Sequence, residues 1–139
     1  MKYLTRHLIG FACALIILTV IFRGLLSHYI GAENWTAILL LAFAYGCAVF
    51  IAGWMFGKRE YESIPLYDIG FRFHLTTYVI CNVIAVLWLL GPYKAPQESL
   101  HQSYSMIIYW GLGLLLHFIF YIYSRRHAYK GINRSDLFD

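Results

Sequence analysis

Four runs of about 20 predominantly apolar residues constrain this chain more than any other feature, because a helix needs that length to cross the hydrocarbon of a bilayer. They cover approximately residues 8–30, 35–57, 72–90 and 105–123 of the 139. Together they take most of the chain and leave no room for a separate soluble domain. Charged residues make up 13% and hydrophobic ones 60%, against roughly 25% charged in an ordinary soluble domain. The expectation is a single all-α membrane domain over residues 1–139, built as two antiparallel transmembrane hairpins in a four-helix bundle. An aromatic content of 19% suits a chain that meets two membrane interfaces, where amphipathic rings settle.

The net charge of +4 is a topology signal here rather than a nucleic-acid one. Lys2 and Arg6 precede the first run, Lys58 and Arg59 lie between the second and third with Arg72 at the start of the third, and Arg125, Arg126, Lys130 and Arg134 follow the fourth. The two opposite loops carry Lys94 alone. Cytoplasmic loops hold the excess of Lys and Arg, so both termini are expected in the cytoplasm. The first run lacks a small-residue cleavage site before Arg23 and reads as a retained helix rather than a signal peptide. Arg23 is an intramembrane charge with no Asp or Glu inside the runs to pair with it. Its long stem suits snorkelling to the interface near Ser27 and His28, and the other reading is an ionic group facing the bundle interior. Cys13, Cys47 and Cys81 fall singly in three runs with no metal-site spacing and read as buried free thiols.

Local punctuation fixes the connections. Gly31, Ala32, Glu33 and Asn34 read as a short turn, Lys58 to Gly70 as the longest internal polar connection with Pro65 opposing helix before it, and Gly91-Pro92 as a strong stop. Trp35 and Trp54 mark the ends of the second run. Small residues recur along it at helical spacing, Ala42 with Gly46, Ala48 with Ala52 and Gly53 with Gly57, a pattern that lets helices approach closely in lipid.

The third and fourth runs carry the polar residues of most interest. Residues four apart share a helix face, so His74, Tyr78 and Asn82 form one stripe and Gly113, His117 and Tyr121 another. Counted from Gln97 in the connecting loop, His74 lies 23 residues back and His117 lies 20 on. At 1.5 Å per residue the two sit at similar depth and the stripes can face each other. One reading is polar glue, with Tyr78, Asn82 and the histidines bonding across the interface while Gly111 and Gly113, next to Trp110, permit close approach. A second is a haem or metal held by His74 and His117. A third is a histidine that changes protonation near neutral pH and biases helix packing.

The runs His74-Leu-Thr-Thr-Tyr78-Val-Ile-Cys-Asn82 and Trp110-Gly111-Leu-Gly113-Leu-Leu-Leu-His117, with the basic segment that follows, resemble the bacterial 2TM domain family over roughly residues 70–134. That family is a helical hairpin with an H-L-x-x-Y-x-x-x-N pattern on its first helix and W-G-x-G-L-x-x-H on its second. The resemblance implies a multi-pass protein of a bacterial inner membrane, and some members of the family are linked to histidine-kinase signalling. The residues add no paired carboxylates, no cysteine pair, no nucleophile with its base and no phosphate-cradling glycine loop. The leading expectation is therefore a non-catalytic protein, not an enzyme, with no cofactor, that serves as a structural, regulatory or sensory element. Its partners are the lipid bilayer and either further copies of itself or a membrane signalling protein, with no nucleic acid. A haem- or metal-binding redox or sensor protein using His74 and His117 is the alternative, and a small transporter a further one. The basic tail from Arg125 to Arg134 suits anionic headgroups.

Overall fold

The computed structural model describes residues 5–63 and 69–128. Among them run four helices, α1 (Arg6–Gly31), α2 (Trp35–Ser63), α3 (Ile69–Leu90) and α4 (Leu100–Ala128). Each is long and apolar enough to cross a membrane. The turn expected around Pro65 and Tyr67 and the tail from residue 129 on lie outside the described residues.

The helix ends follow local chemistry. Thr5, in extended conformation, caps α1 by accepting the Leu8 amide on its Oγ1 at 3.2 Å, which satisfies one of the free amides of a helix start. At the other end the chain turns at Glu33, whose φ of 53° lies in the left-handed region that favours glycine. Asn34 Oδ1 then accepts the Ala37 amide at 3.1 Å and starts α2. Two boundaries differ from expectation. The second helix does not stop at Gly57 but runs on through Lys58 to Ser63, because these residues tolerate helix and no breaker intervenes before Pro65. The fourth begins at Leu100 and ends at Ala128, so the loop before it shrinks to residues 91–99. The stop at Gly91 is as read: its amide is shared between the carbonyls of Leu87 and Trp88, both at 3.1 Å.

The helices do not enclose one common core. α1 packs on both α2 and α3, α2 and α3 touch each other less, and α4 touches α3 alone among the described residues. The four helices are thus arranged as three that pack on one another and a fourth on one flank. Leu8, Phe11 and Leu15 of α1 meet Phe73 and Cys81 of α3, with Tyr45, Val49, Ala52 and Phe56 of α2 packed around them. α1 is thus the helix on which α2 and α3 are organised.

Close approach of α1 and α2 is set from the α1 side. A Cβ added to Gly10 would stand 2.8 Å from Phe56 Cε1. The small residues of α2 contribute less than their spacing suggests. A Cβ added to Gly53 would stand 3.8 Å from Phe11 Cε2, while one added to Gly46 or Gly57 would meet nothing within 4 Å, so Gly53 and Gly57 do not form one contact surface within the chain.

Candidate functional site

The α3–α4 interface brings together much of the constellation read from sequence. His74 lies on the second turn of α3 with Nδ1 2.7 Å from the Gly70 carbonyl oxygen. A carbonyl only accepts, so in this bond Nδ1 bears the hydrogen and Nε2 of the neutral ring keeps its lone pair. The His74 and His117 rings face each other across the two helices with centroids 4.9 Å apart and planes tilted by 39°. Phe71, one turn before His74, lies nearly parallel to His117 at 6.2 Å and to Tyr121 at 5.7 Å. Both histidines are exposed.

Tyr78, one turn further along, donates its hydroxyl to the Ile107 carbonyl of α4 at 3.1 Å, and its ring meets Trp110 edge-on at 5.8 Å. Gly111 makes that bond possible, since a Cβ there would stand 3.1 Å from Tyr78 Oη. Gly111→Ala is therefore expected to weaken the Tyr78–Ile107 bond and cost about 1 kcal/mol, whereas Gly113→Ala, in open space, should be neutral or slightly stabilising through helix propensity. Unfolding of both variants in mixed micelles checks the contrast; equal effects would contradict this interface.

Two expected residues do not join α3 to α4. Asn82 is buried at 8% exposure, but its Nδ2 donates back to the Tyr78 carbonyl of its own helix at 2.7 Å, and its Oδ1 has no hydrogen-bond partner. Back-bonding to the preceding turn competes with a bond across helices for a short amide side chain. Gly113 faces outward. Two glycines two residues apart point to nearly opposite sides of a helix, so only one of them can meet α3.

Sequence reasoning missed three polar clusters. Arg23 does not simply snorkel: its Nη2 is 3.0 Å from Glu98 Oε1, and the two side chains are only 12% and 5% exposed. The loop between α3 and α4 folds back over α1 and delivers Glu98. Its Oε2 accepts the Ser27 hydroxyl at 2.7 Å and the Ala95 amide at 2.9 Å, and Trp88 Nε1 donates to Ser27 Oγ at 2.8 Å. Near the opposite end of α1, Thr5 Oγ1 donates to Glu60 Oε2 at 2.6 Å, and Arg72 Nη1 lies 3.7 Å from Glu60 Oε1. Between them, Thr19 Oγ1 donates to the Leu15 carbonyl at 2.7 Å, and the Tyr45 hydroxyl sits 2.8 Å from Thr19 Oγ1 and 3.2 Å from Cys81 Sγ. Cys81 is buried, but Cys13 and Cys47 are exposed, which corrects the reading of three buried thiols. The signal available in sequence was Glu98 itself, an acid three residues after Ala95 in the loop nearest Arg23.

The ring separation tests the haem reading. A metal stands about 2.0–2.1 Å from an imidazole nitrogen, hence roughly 3.1 Å from the ring centroid, so axial imidazoles on opposite sides of an iron have centroids about 6.3 Å apart. His74 and His117 at 4.9 Å leave no space for a macrocycle between them, and the pair does not fit that group. Among the described residues no three His, Cys, Asp or Glu side chains gather at one point.

Residues 68–133 match the model of the 2TM domain. No curated protein and no solved structure matches the chain.

Proposed function

We propose that this chain, which carries a 2TM domain over residues 68–133 preceded by two further helices, is a non-catalytic scaffold of a bacterial inner membrane. In this reading both termini are cytoplasmic, each half is an antiparallel transmembrane hairpin, and the protein is a structural, regulatory or sensory element of a membrane assembly. The observation that carries it is the placement of two ion pairs among the described residues. Arg23–Glu98 and Glu60–Arg72 each join the N-terminal pair of helices to the 2TM half. Their α1 anchors, Arg23 and the Thr5 that bonds Glu60, are about 27 Å apart at 1.5 Å per residue. One ion pair is held directly by α1 through Arg23 and the other through the Thr5 hydroxyl at its N-cap, so the two halves are fastened at two widely separated levels of one helix. α4, which among the described residues touches α3 alone, keeps a broad apolar flank free for lipid or an assembly partner.

Orientation rests on the loop charges, nine Lys and Arg on one side against Lys94 on the other. A reporter fused at residue 139 should therefore read cytoplasmic; a periplasmic signal would overturn the orientation. A photo-activatable cross-linker at Leu112 or Leu116 of α4 should yield protein adducts in native membranes, whether with a second copy or another protein. The same group at Ile17 on α1, which is 61% exposed, serves as the comparison. Adducts to lipid alone at both α4 positions would remove the assembly role.

A further inference from the structure

We infer that His74 and His117 form a two-imidazole chelate for a divalent transition-metal ion of the zinc type, bridging α3 to α4. The separation that excludes a haem fits this geometry. Two imidazoles bound to one ion at a tetrahedral angle have centroids about 5.1 Å apart, from metal–nitrogen bonds of about 2.0–2.1 Å. The observed value is 4.9 Å. The hydrogen bond at His74 points the same way. A metal-bound histidine characteristically donates its other ring N–H to a carboxylate or a backbone carbonyl, which fixes the tautomer and raises the basicity of the ligating nitrogen. His74 Nδ1 makes such a bond to Gly70 O at 2.7 Å, leaving Nε2 as the ligand atom. His117 is held by its parallel contact with Phe71, so neither ring has to be ordered from a free state.

Access also suits an ion arriving from water. His74 is five residues from the start of α3, and His117 is six from Tyr123, where the apolar span of α4 ends. At 1.5 Å per residue both lie roughly 8 Å inside the ends of their spans, near an interface, and neither is enclosed by the described residues. Imidazole selects zinc, copper or nickel over magnesium or calcium, which prefer oxygen. Water completes the coordination. Because the two ligands come from different helices, an ion there closes α3 on α4 at the end away from the Glu98 loop. The site stands apart from the scaffold role and does not require it.

The probe is Zn2+ added to the metal-stripped full chain in mild detergent. At about 100 times its Kd the ion should raise Tm by roughly 9 °C, with no rise for Mg2+. His74→Ala and His117→Ala should each abolish the rise, while His101→Ala, on an exposed residue at the other end of α4, should keep it. Should either Ala variant fail to fold, Cu2+ bound to the wild-type chain decides: its electron paramagnetic resonance spectrum should show coupling to two imidazole nitrogens. A Zn2+ effect that survives loss of either ring, no effect on the wild-type chain, or a Cu2+ spectrum without two such nitrogens would overturn the proposal.

Discussion

Glu98→Ala is expected to destabilise the chain by about 3–5 kcal/mol, the range for removing one partner of a buried ion pair and leaving the other charge behind. The carboxylate holds three donors at once: the Arg23 guanidinium at 3.0 Å, the Ser27 hydroxyl at 2.7 Å and the Ala95 amide at 2.9 Å. Alanine strands all three. Arg23 suffers most, since its side chain is only 12% exposed and its Nε already has no hydrogen-bond partner. Glu98→Gln should cost less, because an amide oxygen still accepts from Ser27 and Ala95 while the charge attraction is lost. Pairing each change with Arg23→Met separates the charge term from the rest: in the double variant no buried charge is stranded, so the combined loss should fall short of the sum of the two single losses by 1 kcal/mol or more, on the order of coupling expected for contacting groups. Reversible unfolding in mixed micelles reads all of these. If Glu98→Ala unfolds within about 1 kcal/mol of wild type, the loop does not close over α1.

Arg23 also marks where sequence reading runs out. The price of a charge among apolar residues was readable, and so was the shortage of acids within the spans. Its partner was not, because hydropathy locates spans but not the path a nine-residue loop takes back over them. The same limit explains α1. A helix that is apolar nearly all round carries no strong face in its sequence, so the stripe of Leu8, Phe11, Leu15 and Thr19 emerges only when its neighbours are in place. Where polar residues interrupt the apolar background, the reading went further. Helical rise alone set His74 and His117 at one depth, and their rings meet at 4.9 Å. Between equivalent-looking choices it failed, because which of Gly111 and Gly113 faces α3 is a matter of helix rotation, and whether Asn82 bonds forward or back is a matter of rotamer.

Phe11→Ala should produce the second large loss, about 2 kcal/mol. Truncating a buried phenylalanine in a soluble core costs roughly 3–5 kcal/mol, part for transfer from water and part for the cavity left behind. In lipid the transfer part falls away, since the separated helix still sits in hydrocarbon, and the packing part remains. Phe11 is 1% exposed and is shared by three helices: its ring stands 4.8 Å from that of Phe73 on α3 and 6.4 Å from that of Phe56 on α2, edge-on to the latter. Neither neighbour can fill the gap without leaving the other helix, so the cavity persists. Phe120 on α4 provides the contrast. It is 69% exposed on the helix that touches α3 alone among the described residues, and Phe120→Ala should change stability by no more than about 0.5 kcal/mol. Measured side by side, a large loss at Phe11 and none at Phe120 would follow from a core built by α1, α2 and α3. Comparable losses would mean that α4 packs across the others in the membrane, and the open flank would disappear with it.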